Sequence, residues 1–430
     1  MDATRMDPDA PQEGAASDTR TSPSHPSDQS VPAYSMHRPR WTWGRVPRGS
    51  DAGFALAVSL LVVVSVLLLT LVGGTLDPHT IGSRPVVRTP APTGASAGAA
   101  QTSGPMSGPM SARTVVHHSP VQVYALPEQQ AGLMQPAEDA RGDLWVGAMG
   151  TNRLLRLDAR TGAVDAWEPP NGRNGSMQTV IDAAGRVWFT EQNANYVGRF
   201  NPATQTFATY PLGTVNSHGM APQDLQFDAA GRLWFTEVSG GRIGRLDLAS
   251  GAIDAWPVPP PAPGVASYPF SLAVTSAGQV WFGYLGGGSV GHLDPSTGRV
   301  TLTHLSDPHA QVFSMAADAH GHVWFTELER GRSGLIDAAT GRVTELEVST
   351  ALGTPSGLYE VVVARDGDVW FPVTSANVLV RYAPGTATFT FYPLPVPASV
   401  PYGLALDAST DAVWFTASVA ASYVGKLSPS

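Results

Sequence analysis

Cysteine is absent from all 430 residues. That excludes disulfides, thiolate metal sites, a cysteine nucleophile and a lipidated N-terminal cysteine. Lysine is nearly as scarce: Lys426 is the only one, and arginine supplies the rest of the 26 basic residues. Charged residues make up just 14% of the chain, and the net charge of −9 comes without a basic stripe, so no nucleic-acid partner is expected. Little charge beside 45 glycines and 37 prolines suits many short strands joined by turns, with few helices.

Long apolar runs are also lacking, with one exception. Phe54–Val72, FALAVSLLVVVSVLLLTLV, is 19 residues without a charge. At about 1.5 Å per residue it is long enough to cross roughly 30 Å of hydrocarbon. Arg38, Arg40, Arg45 and Arg48 precede it and the next arginine is Arg84, which places the N-terminus in the cytoplasm. The run is longer than the apolar region of a cleaved signal peptide, about 7–15 residues, so a retained signal anchor is expected. The expected organisation is a disordered cytoplasmic tail at 1–52, a transmembrane signal anchor at 53–74, a flexible Pro/Gly/Ser/Ala linker at 75–119, and a domain at 120–430. The protein is then single-pass in the cell membrane, with its domain on the extracytoplasmic side.

That domain is a repeat. A Trp-centred strand recurs as DLWVG, RVWFTE, RLWFTE, QVWFGY, HVWFTE, DVWFPV and AVWFTA, with Trp145, Trp188, Trp234, Trp281, Trp324, Trp370 and Trp414 spaced 43–47 residues apart. Each copy reads as an apolar strand, a glycine turn, the Trp strand, a polar loop, a strand such as VGRF, a second turn and a strand such as TFATYPL. This is a four-stranded antiparallel meander whose two apolar faces need stacked neighbours. The seventh copy ends before its fourth strand, whereas VQVYALP at Val121–Pro127 resembles the fourth strand TFTFYPLP at Thr388–Pro395. An N-terminal strand that completes the last blade would close a ring and remove its open edges. The fold expected is all-β, a seven-bladed propeller of four-stranded antiparallel blades.

Trp and Phe in nearly every copy are read as packing between blades. Positions that vary between copies are where function enters. Glu191, Glu237 and Glu327 close the Trp strand in three copies, while Ala148, Tyr284, Val373 and Ala417 stand there in the others. The strand preceding each Trp strand should bring Met134, Met177, Gln223, Phe270, Phe313, Tyr359 and Tyr402 to the mouth of the central channel. An apolar, aromatic ring with few polar groups suits binding better than proton transfer. Neighbouring loops add His218, Asp224, His309 and Glu360. A histidine near a glutamate could serve as a general base or a hard-cation site. No Ser-His-Asp arrangement, phosphate-binding glycine loop or HExxH spacing occurs.

The repeated WFTE…N…IGR phrase followed by YPLP resembles the virginiamycin B lyase, or streptogramin B lyase, family of seven-bladed propellers. The resemblance covers about residues 120–430. It implies opening of a cyclic depsipeptide by elimination of its ester, with a histidine base and magnesium. The implied site is a histidine where the sixth blade begins, a Glu-Pro-His triplet where the seventh begins, and a glutamate after the seventh Trp strand. Here these positions are Tyr359, then Val400, Pro401 and Tyr402, and a residue near Ala420. Tyrosine with an ordinary pKa near 10 is a poor base at neutral pH, and valine and alanine cannot hold magnesium.

The leading expectation is therefore a binding or scaffold module without the family's catalytic set and with no cofactor. A small molecule or protein would meet Gln223, Phe270, Phe313, Tyr359 and Tyr402, with Glu191, Glu237, Glu327 and His218 as polar contacts. The alternative is an active magnesium-dependent lyase with another base, His218 with Glu237. A third reading is a structural propeller that meets protein partners through its outer loops.

Overall fold

The computed structural model describes residues 113–127, 131–170, 172, 175–215, 218–348, 356–417 and 422–429. The expected tail, the anchor at Phe54–Val72 and most of the linker lie outside them. Among the described residues no helix is long and apolar enough to cross a membrane.

Among the described residues seven blade sheets, each built on an antiparallel meander around its Trp strand, follow one another along the chain, with a separate two-stranded ribbon of Thr214–Val215 and His218–Gly219. The first five blades take their four strands in sequence order, starting from Leu133–Glu138, Ser176–Ile181, Pro222–Phe227, Pro269–Val274 and Val312–Ala317. The seventh is closed as expected: strand β2 (Val121–Ala125) pairs antiparallel with Tyr423–Leu427, with Val123 opposite Gly425. The sixth blade differs from expectation. Strand β1 (Arg113–Val116) runs parallel to Thr388–Pro393 on its outer edge and makes it five-stranded. Residues assigned to the end of the flexible linker are thus part of the propeller. Their Thr-Val-Val sequence is β-prone, and they cover an otherwise unpaired edge.

A recurring side-chain device fixes the glycine turn to the tryptophan in four blades, at Trp145, Trp188, Trp234 and Trp324. In the third blade Asp228 Oδ1 accepts the N–H groups of Ala230 and Arg232 at 2.9 and 3.0 Å. Its Oδ2 accepts Arg232 Nε at 2.7 Å and Trp234 Nε1 at 2.8 Å. Asp139 and Asp182 hold Trp145 and Trp188 in the same way, at 3.1 and 2.8 Å. These aspartates are pulled below the ordinary carboxylate value by their hydrogen bonds, against the upward push of burial. In the seventh blade the acceptor comes from across the seam: Glu138 of the first blade accepts Trp414 Nε1 at 3.2 Å and the N–H of Ala408 at 2.6 Å. Trp281, in the fourth blade, has no such partner and stacks on His292 at 4.6 Å.

The glycine of the VGR-type strand is explained by the phenylalanine beside each tryptophan. A Cβ on Gly334 would lie 2.0 Å from Phe325 Cζ, and one on Gly244 2.2 Å from Phe235 Cε2. The ring lies flat on the neighbouring strand, and only glycine leaves it room. Gly334→Val is accordingly expected to destabilise by at least about 1–3 kcal/mol through overpacking. Gly385→Ala, where nothing lies within 4 Å, should change stability by less than about 0.5 kcal/mol. Urea denaturation of the two variants beside the parent checks both.

Candidate functional site

The first strand of each blade lines the channel, and in six blades it slips register near its start, for example between Pro222 and Leu225, Val312 and Ser314, and Pro401 and Leu404. A slip of this kind re-aims side chains that strict alternation would separate. The outcome is two layers. Met134, Phe270, Phe313, Tyr359 and Tyr402 join one apolar cluster with Val238, Leu328 and Val400. The residues next to several of them, Gln135, Ser314 and Glu360, line a narrow cavity of about 20 Å3 together with Asp224 and Gln178.

The upper layer is closed. Phe313 sits 4.8 Å from Phe270, 5.0 Å from Tyr359 and 6.0 Å from Tyr402, ring centre to ring centre. Tyr359 and Tyr402 lie 4.6 Å apart. All four are fully buried, so the residues expected to ring an open mouth instead fill it. Burial pushes both tyrosine hydroxyls above their ordinary pKa, and Tyr402 is raised further by Tyr359 and Glu360. Neither can act as a base at neutral pH. Gln223, also buried, accepts Gln192 Nε2 on its Oε1 at 2.9 Å. Met177 lies in the strand Ser176–Ile181 and His218 in the two-residue strand His218–Gly219, opposite Val215, and the side chains of both fall outside the described residues. Ala420 also falls outside them, and His309 is exposed on a loop.

The three glutamates that close the Trp strands are fully buried. Glu237 lies opposite Arg242 and accepts its Nε at 2.5 Å. Glu327 faces Arg332 at 3.2 Å, but that guanidinium also serves Asp307 and Glu345, each at 3.5 Å. Asp307 is also held by Arg330 at 2.9 Å and Glu345 by the N–H and hydroxyl of Ser306 at 3.0 and 2.9 Å, so Glu327 shares Arg332 with two acids that have other partners. Burial therefore prevails and pushes Glu327 up to about 8, with Glu345 and Asp307 adding to the rise and Arg332 opposing it. Glu191 occupies the equivalent place in the second blade, opposite Tyr196. Arginine pairing makes two of these groups part of the blades' own framework. The dyad of His218 and Glu237 would compete with Arg242 for the glutamate.

The lower layer is polar: Asp224, expected in a loop, lies in the strand Pro222–Phe227, while Glu360 lies, as expected, in a segment outside any strand, and both line the channel cavity. Asp224 sits in the strand Pro222–Phe227 and accepts the N–H of Leu272, in the next blade, at 2.8 Å. Gln226 donates to the carbonyl of Leu272 at 2.8 Å and accepts the N–H of Val274 at 3.2 Å. Ser314 Oγ accepts the N–H of Val361 at 3.1 Å. Neighbouring inner strands are thus stitched together by side chains, because no backbone ladder joins one blade to the next. Burial drives Asp224 up to about 7 and Glu360 well above its usual value. The available signal was positional: Gln135, Gln178, Asp224, Ser314 and Glu360 each follow directly on a mouth position in sequence.

A closed ring of seven blades, whose aromatic side chains Phe270, Phe313, Tyr359 and Tyr402 pack against one another among the described residues at the channel mouth, defines a seven-bladed β-propeller. The chain belongs to the virginiamycin B lyase family, whose family model matches residues 110–361 and 297–430. It is similar to the crystal structure of selenomethionine-substituted virginiamycin B lyase from Staphylococcus aureus, at 24% identity over 72% of this chain and 99% of that one, with a TM-score of 0.64. It is similar to a streptogramin B lyase structure at 24% identity, over 71% and 96% of the two chains, with a TM-score of 0.63. A more distant likeness, 12% identity over 76% and 100% of the two chains with a TM-score of 0.57, is to YCF48 bound to D1 peptide. No match was found among curated proteins.

The Glu327 environment fixes a pH dependence. The folded chain holds a proton that the unfolded chain, with an ordinary value of 4.5, gives up. The stability this group contributes is therefore full below about pH 4.5 and is lost as pH rises through about 8. Glu327→Gln removes the titration while Asp224 and Glu360 titrate alike in both proteins. The Tm of the variant minus that of the parent should rise between pH 5 and pH 8. A flat difference over that range would mean that Glu327 is ionised on Arg332 throughout.

Proposed function

We propose that this chain is a membrane-anchored, extracytoplasmic propeller that has set aside the family's ester elimination and serves as a binding or scaffold module. One observation carries the reading: Tyr359 and Tyr402, at positions where the resemblance implies histidines, are buried and packed against each other with tilted rings inside the mouth. Elimination needs a base beside an acidic C–H, within hydrogen-bond reach and with a pKa near the working pH. Two buried phenols with raised pKa meet neither condition. Val400 replaces an acid of the implied triplet and is itself packed in the plug. The proposed anchor rests on the charge-free run Phe54–Val72 and the arginines before it.

With the mouth filled, a ligand would rest on the rim of the propeller rather than enter the channel. A protein or peptide suits such a rim better than a small antibiotic, which needs a concave pocket to bury most of its surface. A propeller of similar fold solved bound to a peptide supports this.

The full chain in detergent, incubated with a streptogramin B and magnesium beside a known lyase, tests the proposal by mass spectrometry of the ring. The expected result is an intact macrocycle under conditions where the lyase opens it completely. Chelator-sensitive formation of the elimination product would overturn the reading and direct attention to His218 as the base.

A further inference from the structure

The lower layer of the channel has oxygen atoms with nothing to bind. Glu360 is 7% exposed and Gln135 6%, yet Glu360 Oε2 and Gln135 Oε1 have no hydrogen-bond partner. Both residues line the same cavity of about 20 Å3, together with Gln178, Asp224, Gln226 and Ser314. Glu360's backbone donor, Leu404, accounts for part of one carboxylate only. Asp224 likewise meets backbone N–H groups, of Leu272 and Leu225, and no cation. Tyr402 lies beside Gln135, close enough for the Gln135 side chain to oppose the rise of its hydroxyl pKa.

A buried polar atom left without a partner is destabilising, and more so when it is charged. Two of them facing one small space are a built requirement for an occupant. The donor set is chemically specific. Two carboxylates and neutral amide and hydroxyl oxygens are hard ligands, and no histidine or thiol is among them. No group of three or more His, Cys, Asp and Glu converges among the described residues, so the neutral oxygens must complete any coordination shell. Calcium takes six to eight such oxygens, waters included, in adaptable geometry. The two acids come from the third and sixth blades, on different sides of the ring, and each is raised by burial, Glu360 further by the charge of Asp224.

We propose that the channel beneath the aromatic plug is a hard-cation site, in which Asp224 and Glu360, with Gln135 and Ser314 as neutral oxygen donors, hold one calcium ion directly or through water. The site is separate from the mouth positions Tyr359, Val400 and Tyr402 that the family resemblance singles out. The ion would tie the third blade to the sixth across the axis, adding a link that no backbone pairing supplies. It would be taken up as the ring closes, because the plug covers that side of the cavity.

The test uses the full chain in detergent, unfolded and refolded with either chelator or CaCl2, MgCl2 or NaCl. Metal content by mass spectrometry and the Tm are measured for each. One calcium per chain and a Tm raised by several degrees over the chelator sample are expected. Glu360→Gln and Asp224→Asn preserve shape and remove charge, and each should weaken calcium binding at least tenfold. Asp165→Asn, at an exposed pair with Arg156, should leave it unchanged. A parent chain that refolds metal-free with the same Tm in every salt would overturn the proposal and leave the two acids as protonated staples between blades. Calcium binding that survives both substitutions would overturn it as well, because the ion would then lie elsewhere. Selective response to magnesium or sodium would keep the hard-cation site and correct its occupant.

Discussion

Closure of the ring is the constraint from which the rest follows. Val121–Ala125 pairs with Tyr423–Leu427, and Glu138 bridges the seam to Trp414. With both ends committed, the seven inner strands surround one narrow axis. Whatever those strands present inward must share that space. Small or polar side chains at their starts would leave a cleft. Here five of the seven expected mouth positions carry Met134, Phe270, Phe313, Tyr359 and Tyr402 in one cluster, and large side chains on converging strands meet and exclude water. The chemistry open to the molecule is set by that packing rather than by the fold, which hosts different functions on the same frame.

The blades were legible because their determinants are local and repeated. One Trp-centred phrase at a steady period fixes the second strand, and a glycine follows wherever a turn or a flat phenylalanine demands it, as Gly334 does for Phe325. The closing strand was legible because β2 looks like the strand it replaces. Strand β1 was not: four residues at the end of a low-complexity stretch have no repeat to announce them, and their partner Thr388–Pro393 is distant in sequence. The turn aspartates were visible as turn residues, but their bond to the tryptophan six positions on is a tertiary consequence of the hairpin.

The channel was half legible. Counting along the repeat found the residues that face inward, but counting cannot give the radius at which they meet, so a mouth was expected where a plug exists. Asp224 and Glu360 were read only as residues of neighbouring loops. The register slips in the first strands bring neighbours in sequence to the same axis, one in the apolar layer and one in the polar layer. Glu191, Glu237 and Glu327 show the converse. Their variation between blades looked functional, and for Glu237 and Glu327 the partner proves to be the arginine that opens the next strand.

The central claim is that the two tyrosines at the mouth are held neutral and enclosed, and it can be read in the ultraviolet absorbance of phenolate. A pH titration of the folded chain, compared with the Tyr359→Phe and Tyr402→Phe variants, isolates their contribution. The account predicts that neither tyrosine ionises below the pH at which the fold itself is lost, so that each variant differs from the parent only beyond that point. A phenolate forming near neutral pH and absent from either variant would contradict it, for the mouth would then hold an accessible base.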